Sequence, residues 1–331
     1  MSKALESQIH SAPSLRRAGG GSEVGSEALA GGETSLTVVL EGGLGNRMRV
    51  AAATAAMAEQ LKAPVRCLWM EQWGLRCRFD ALFESTVLTE ISGHPFELRD
   101  ATCMEQLVLA RPQRRNLNMP RLVQRMLFSD VIFSERVMPL RMKGFDFLNW
   151  AKAGGQRLMH AYRDFYRWDL SLLSQLFTPT SEIKALIDAR CAAFSAHSIG
   201  VHVRRTDNQE SIDDSPLHLF FEHLDACIGQ HDDTTIYLAT DDEVTKKSMR
   251  QRYSHRIITS PTQADRESTA GIIEGLVEMY TLSRTNYIYG SAGSTFSEMA
   301  AAIGQKPFEV VRRDTSRPYE SGLYLNIRDK R

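Results

Sequence analysis

The stretch Ser198-Ile-Gly-Val-His-Val-Arg-Arg-Thr-Asp-Asn208 decides the fold prediction. Residues 198–203 predict a buried strand, and the polar residues after them predict a loop at its carboxyl end. In an open α/β sheet, ligands bind in the crevice outside the carboxyl ends of the strands. Arg204 and Arg205 begin this loop, and two permanently charged guanidiniums that fork onto oxygens suit a diphosphate. The stretch therefore predicts an anion site at a sheet edge.

The composition excludes several classes of protein. A chain of 331 residues with 43% hydrophobic residues can form one large or two medium domains with a substantial core. Lys plus Arg equals Asp plus Glu, at 40 each, so the global charge predicts no nucleic-acid partner. The five cysteines lack metal-binding spacing, which predicts free thiols and no metal site.

The N-terminal region and the hydropathy pattern indicate where in the cell the protein is expected. No apolar run reaches the roughly 18 residues that span a bilayer, and the N-terminus lacks the apolar core of a signal peptide. These features favour a cytoplasmic protein without a transmembrane segment. Residues 1–35 are rich in Gly, Ser, Glu and Ala, a composition that predicts a disordered leader.

Repeated strand–helix units follow the leader. The first unit contains a strand, a glycine-rich turn, a helix and a second strand, at Leu36–Leu40, Glu41–Arg47, Met48–Leu61 and Val65–Trp69. The alternation becomes regular from residue 181 onward, and such alternation predicts parallel, doubly wound sheets. We expect two Rossmann-like domains, residues 36–180 and 181–331, that face each other across a cleft.

The glycine-rich turn is a candidate ligand site. Gly43 and Gly45 let the backbone approach a ligand closely, and the N-terminus of the following helix favours an anion. Asn46 adds a side-chain donor. Tight turns between a strand and a helix also use glycine without binding anything, so a purely structural role is the alternative.

Two further polar strand ends lie in the second half. Thr240-Asp-Asp242, which contains Asp241, follows a predicted strand at 235–239, and Ser294-Thr-Phe-Ser297 begins a predicted helix. If the strands are parallel, both ends open on the same rim as Arg204.

The segment that begins at Ser294 has two interpretations. The hydroxyls of Ser294, Thr295 and Ser297, with the backbone N–H groups of a helix start, can hold phosphate. Thr295 and Glu298 also fit a capping box, which would explain the same residues by local helix structure alone.

His202 lies within the predicted strand, on the opposite face from its neighbours Val201 and Val203. A histidine inside a strand is commonly structural. Because His202 stands beside two arginines at a ligand rim, we favour a contact with the base or the phosphate of a nucleotide.

These motifs together resemble a known family. His202-Val-Arg-Arg-Thr-Asp207 resembles the His-x-Arg-Arg signature of the α1,6-fucosyltransferases and nodulation fucosyltransferases and, more loosely, of the α1,2- and protein O-fucosyltransferases. Gly42-Gly-Leu-Gly-Asn-Arg47 is similar to their N-terminal loop, Tyr237–Asp242 to their second motif and Ser294–Ser297 to their third. The four motifs occur in the family's order across most of the chain.

The resemblance implies a GT-B fold and transfer of fucose, with inversion, from GDP-fucose to a glycan or glycoconjugate hydroxyl, without a required metal. It implies that Arg204 and Arg205 hold the β-phosphate and offset the charge on the departing GDP. Asn46 would reach the diphosphate across the cleft, and His202 would contact the guanine–ribose end. Glu278 stands where the α1,6 group has an acidic guanine ligand.

The chemistry also needs a base for the acceptor hydroxyl. The candidates are the carboxylates that follow the two arginines, namely Asp207, Glu210, Asp213 and Asp214, and we favour Asp207 and Glu210. Asn208 and Ile212 stand where the α1,6 group has a lysine and a glutamate, so the sequence leaves the base and the acceptor open. The alternatives are a GT-B transferase for another nucleotide sugar and an inactive nucleotide- or glycan-binding homologue.

Overall fold

A computed structural model of the chain describes residues 34–72, 74–86, 88–206, 209–262, 267–316 and 318–326. The predicted leader lies outside this part except for residues 34–35, and Ser35 already belongs to the first strand. Asp207 and the side chain of Glu210, the two favoured bases, also lie outside the described residues. The described residues all belong to one compact unit, so the predicted domain boundary at residue 180 stays a prediction.

The first half of the chain forms a six-stranded sheet. Its strands are β1 (Ser35–Leu40), β2 (Val65–Trp69), β3 (Glu90–Ile91), β4 (His94–Asp100), β5 (Asp130–Ile132) and β6 (Gln156–Ala161). The spatial order is β3-β4-β2-β1-β6-β5. Every neighbouring pair is parallel except β3 and β4.

Helices connect and cover these strands. They are α1 (Leu44–Leu61), α2 (Cys103–Val108), α3 (Met119–Leu127), α4 (Ser134–Met142), α5 (Phe147–Lys152) and α6 (Ser171–Leu176). The next helix, α7 (Ser181–Cys191), packs against α11 (Thr269–Ser283) of the second half. Helix α1 is buried over most of its surface, because its alanines let neighbouring elements approach closely.

The second half forms a five-stranded, fully parallel sheet. Its strands are β7 (Ser198–Val203), β8 (Thr235–Thr240), β9 (Ile257–Thr259), β10 (Tyr287–Ser291) and β11 (Phe308–Val311). The order is β11-β10-β7-β8-β9, so the direction of winding reverses between β7 and β10. Such a switch point leaves a crevice outside the carboxyl ends of the two strands, where ligands bind.

Helices of the second half are α8 (Gln209–Asp214), α9 (Leu217–Gln230), α10 (Glu243–Tyr253), α11 (Thr269–Ser283) and α12 (Thr295–Gly304). In the part of the chain that the structure describes, no helix is both long and apolar enough to cross a membrane.

The structure confirms the predicted doubly wound architecture and corrects one boundary. The strands predicted from residues 36, 65 and 198 are present, and all six residues of β7 are buried. The helix predicted to begin at Met48 begins at Leu44 instead. The turn needs only three residues, because Gly42 adopts a left-handed φ of 81° and reverses the chain at once.

Candidate active site

A cavity of about 240 Å³ is lined by residues from both halves of the chain. Nine of the predicted site residues line it, namely Gly43, Gly45, Asn46, His202, Arg204, Asp241, Glu278, Ser294 and Thr295. Two others, Arg205 and Ser297, do not line it. The polar ends of β7, β8 and β10 therefore open on one rim, as parallel strands require.

The three glycines of the glycine-rich turn have different structural roles. Gly42 makes the left-handed turn, and a Cβ there would lie 2.9 Å from Asn46 Nδ2. A Cβ on Gly45 would lie 3.0 Å from Met299 Cγ, so this glycine lets α1 pack closely against α12. A Cβ on Gly43 would meet no atom within 4 Å, which leaves this residue open toward the cavity.

The amide of Asn46 is held by a buried arginine. Arg49 Nη2 donates to Asn46 Oδ1 at 2.8 Å, and Arg49 Nη1 donates to the carbonyl of Gly322 at 3.1 Å. Since a guanidinium only donates, the amide oxygen faces Arg49 and the amide Nδ2 is the group that can serve a ligand. Arg47, the next residue of the motif, is fully buried instead and donates to the carbonyls of Gly42 and Met70.

The two adjacent arginines leave the end of β7 in different directions. Arg204 lines the cavity, and its backbone N–H donates to Ser291 Oγ at 3.1 Å. The guanidinium of Arg205 instead donates to the carbonyls of Ile212 at 3.4 Å and Ser215 at 2.8 Å. The sequence predicts a shared phosphate site for both arginines, whereas the structure brings only Arg204 to the cavity.

Asp241 fixes the backbone of the loop that carries these arginines. Its Oδ1 accepts the Arg205 N–H at 2.8 Å, while its Oδ2 accepts the Thr206 N–H at 3.2 Å and the Thr206 hydroxyl at 2.6 Å. The carboxylate also lines the cavity. Asp241 therefore fixes the position of the loop that follows β7.

His202 forms the inner wall of the cavity together with the start of α12. Its ring stacks on Phe296 with centroids 4.7 Å apart, and its Nδ1 lies 3.2 Å from Ser294 Oγ. Ser294 is the N-cap residue of α12 and Thr295 its first residue, so both stand at the positive end of the helix dipole.

The capping-box interpretation of this segment is wrong. Helix α12 has no side-chain cap at Ser294, and Glu298 accepts hydrogen bonds from the Tyr319 hydroxyl and the Gly322 N–H instead. Ser297 is fully buried behind the rim, where its hydroxyl donates to the carbonyl of Ser294 at 3.3 Å.

One face of α11 forms the remaining wall. Gly271, Gly275 and Glu278 are spaced by four and three residues, which places them on one side of the helix, and all three line the cavity. Burial, with the nearby charge of Glu274, raises the pKa of Glu278 to about 8. We predicted Glu278 but missed the two glycines, although the pattern Gly-x-x-x-Gly-x-x-Glu in a predicted helix is a detectable signal.

Comparison with known proteins gives matches at the level of structure. No family model matches the chain, and no curated protein sequence matches it. NodZ α-1,6-fucosyltransferase soaked with GDP-fucose superposes with a TM-score of 0.58 at 18% identity, over 87% of this chain and 97% of that one. Selenium-labelled NodZ from Bradyrhizobium gives a TM-score of 0.59 at the same identity and coverage.

A plant enzyme has a similar architecture. A mutant of Arabidopsis thaliana FUT1 in complex with GDP has a TM-score of 0.55 at 16% identity, over 87% of this chain and 72% of that one. These likenesses confirm the fold that the four motifs predict. The chain therefore has a GT-B-like fold, similar to that of these fucosyltransferase structures.

Proposed function

We propose that the chain is a glycosyltransferase that transfers fucose from GDP-fucose, with inversion, to a glycan or glycoconjugate hydroxyl. The observation that carries this proposal is the polarity of the cavity. Arg204, Asn46 and the start of α12 line it with groups that can hold phosphate, and the buried carboxyl group of Glu278 lines it beside two helix glycines. That combination matches a ligand with a diphosphate and a guanine base.

The diphosphate end would be held by three kinds of donor. Arg204 supplies a guanidinium, Asn46 supplies its Nδ2 group, and the first turn of α12 supplies backbone N–H groups at Thr295. Arg205 would act indirectly, because its guanidinium holds the carbonyls of the following segment and so shapes the loop that carries Arg204.

The base end would be set by α11. Gly271 and Gly275 present no side chains and leave room for a flat purine. An ionised Glu278 would accept two hydrogen bonds from the adjacent N1–H and N2–H groups of guanine. Uracil and adenine lack this pair of donors, which supports GDP over UDP and ADP.

Catalysis would depend on stabilisation of the leaving group. As the bond between the sugar and the β-phosphate breaks, negative charge grows on GDP, and Arg204 with the α12 N-terminus would offset it. A base would take the proton of the acceptor hydroxyl as the oxygen attacks from the opposite face, which inverts the anomeric centre. Asp207 and Glu210 stay the proposed bases. These donors replace the usual role of a metal, so we expect activity in EDTA.

The test is release of the nucleotide from different sugar donors. Purified protein is incubated with GDP-fucose, GDP-mannose or UDP-glucose, in EDTA, with and without a mixture of free glycans. We expect GDP release from GDP-fucose, stimulated by glycans and lost in Arg204→Ala. Binding of GDP without any release favours an inactive homologue, and faster release from UDP-glucose favours another donor.

A further inference from the structure

A second cavity, of about 250 Å³, lies outside the carboxyl ends of β1 and β5. Its polar lining comes from Glu41, Arg111, Arg121, Ser134, Glu135 and His160. The site described above uses none of these residues, and the four motifs of the sequence contain none of them.

Glu41 gives this cavity a buried acceptor without a hydrogen bond. The residue is 2% exposed, and its Oε1 lies 3.1 Å from His160 Nδ1. Within the described part of the chain, Oε2 has no hydrogen-bond partner, and it lies 3.7 Å from Arg111 Nε. The 3.7 Å contact with Arg111 is an ion pair and longer than a hydrogen bond, so a ligand hydroxyl that donates to Oε2 would stabilise this buried carboxylate.

Glu41 is also held in the charged form and in one orientation. Burial raises its pKa, but hydrogen bonding and charge from His160, with the charge of Arg111, outweigh burial and bring the pKa below its ordinary value. Behind it, His160 Nε2 lies 3.1 Å from Gln124 Oε1, and Gln124 Nε2 donates to two backbone carbonyls at 3.0 Å each. The carboxylate is therefore a pre-oriented acceptor.

The cavity lining contains both donors and acceptors of hydrogen bonds. Two guanidiniums, Arg111 and Arg121, face two carboxylates, Glu41 and Glu135, and Arg121 Nη2 donates to Glu135 Oε1 at 2.6 Å. The buried Arg121 Nε also lacks a hydrogen-bond partner among the described residues. A site that offers both donors and an acceptor suits a neutral polyhydroxylated ligand, because each hydroxyl group of such a ligand can donate and accept hydrogen bonds.

The cavity lies beside the donor site. Glu41 lines this cavity and Gly43 lines the first one, and the two residues are separated by a single residue of chain. Their Cα atoms are therefore at most about 7 Å apart. A sugar bound at Glu41 would lie close to the Asn46 end of the donor cavity.

We infer that this second cavity is an acceptor subsite that binds a neutral sugar unit. A sugar hydroxyl donates to Glu41 Oε2, and a second sugar oxygen accepts from the Arg111 guanidinium. This inference rests on the proposed function, because only a glycosyltransferase needs a subsite for the acceptor sugar. Direct binding measurements nevertheless test it separately from catalysis.

The test is saturation-transfer NMR on the full chain in the presence of GDP. The probes are the methyl β-glycosides of glucose, galactose and N-acetylglucosamine at millimolar concentration. Variants are Glu41→Gln, which keeps the size of the side chain, and Arg111→Ala. The matched control is Arg114→Ala, which removes an exposed arginine of the same segment that does not line the cavity.

We expect a signal from at least one glycoside, with affinity at least about tenfold weaker in Glu41→Gln and Arg111→Ala and unchanged in Arg114→Ala. GDP affinity, measured in parallel by calorimetry, stays the same in all three variants. No signal in the native chain, or equal signals in Glu41→Gln, overturns the inference. Failure of the native chain to bind GDP overturns the proposed function instead and leaves the glycoside result intact.

Discussion

Ser294 Oγ lies 3.2 Å from His202 Nδ1, which joins the carboxyl end of β7 to the start of α12. This contact crosses the switch point between β7 and β10, so the two elements that supply Arg204 and the helix N-terminus hold a common position. A pre-set pair of charges is what stabilisation of a departing diphosphate requires, because no rearrangement is then needed during the reaction.

The first prediction is that the two adjacent arginines have different roles, one in GDP binding and the other in stability. Arg204→Ala should weaken GDP binding by about 10- to 100-fold, because it removes a charge-assisted hydrogen bond from the cavity. Arg205→Ala should mainly lower the free energy of unfolding, by about 1–3 kcal/mol, since its guanidinium holds backbone carbonyls. Calorimetry with GDP and urea denaturation measure both effects. A larger loss of GDP affinity in Arg205→Ala than in Arg204→Ala contradicts the assignment.

The second prediction concerns pH. The pKa of Glu278, about 8 in the empty protein, lies above its ordinary value of 4.5. The folded chain therefore holds a proton that the unfolded chain loses, so stability from this group is present below pH 4.5 and is lost as the pH rises through 8. If GDP binds the ionised form, binding releases this proton and affinity increases from pH 6 to 8.5.

The control for the pH effect is Glu278→Gln. It retains the titration of the phosphate of GDP but lacks the carboxyl group, so the increase of affinity with pH should become smaller. Unfolding experiments on the empty protein should also show a flatter pH dependence in this variant. The same pH profiles in both proteins would falsify the role of Glu278.

The third prediction concerns Asp164, which is fully buried. Its carboxylate accepts from Arg141 Nη1 at 3.2 Å, Trp168 Nε1 at 3.0 Å and the Tyr324 N–H at 2.7 Å, so it attaches the C-terminal segment to the first half. Asp164→Ala should lower the free energy of unfolding by about 3–5 kcal/mol, because the partners lose a buried charge. Asp80→Ala, which removes an exposed ion pair with Arg78, should change it by at most about 1 kcal/mol in the same denaturation experiment.

The fourth prediction compares two neighbouring glycines. Gly42→Ala places a Cβ on a left-handed residue with φ of 81° and against Asn46, so it should cost about 1–2 kcal/mol of stability and weaken GDP binding. Gly43→Ala has a φ of −75° and open space around the Cβ, so its stability should change by less than about 0.5 kcal/mol. Equal destabilisation in thermal melts would show that the turn does not depend on the Gly42 conformation.

Much of the fold could be predicted from local sequence. Strand β7 carries Ile199, Val201 and Val203 at alternate positions and ends directly before two arginines, and such a boundary is set locally. The start of α1 could not be placed from the sequence, because Gly45 and Asn46 have low helix propensity. The helix nevertheless begins before them, at Leu44, where Gly45 packs closely against α12.

Site residues that belong to a sequence motif could be predicted, whereas contacts between distant parts of the chain could not. Asn46, Arg204 and Glu278 were predicted and meet in one cavity. The direction of the Arg205 guanidinium depends on carbonyls up to ten residues later, which the motif does not encode. The Glu41–His160 contact joins residues 119 positions apart, so only the paired strands β1 and β6 reveal it.

The proposed function requires that the cavity bind a guanine nucleotide in preference to other nucleotides. Calorimetric titration of the native chain with GDP, UDP and ADP, in the same buffer with EDTA, tests it most directly. We expect GDP to bind at least about tenfold more tightly than UDP or ADP, since only guanine offers two adjacent donors to Glu278. Equal affinity for the three nucleotides, or no binding of GDP, would contradict it.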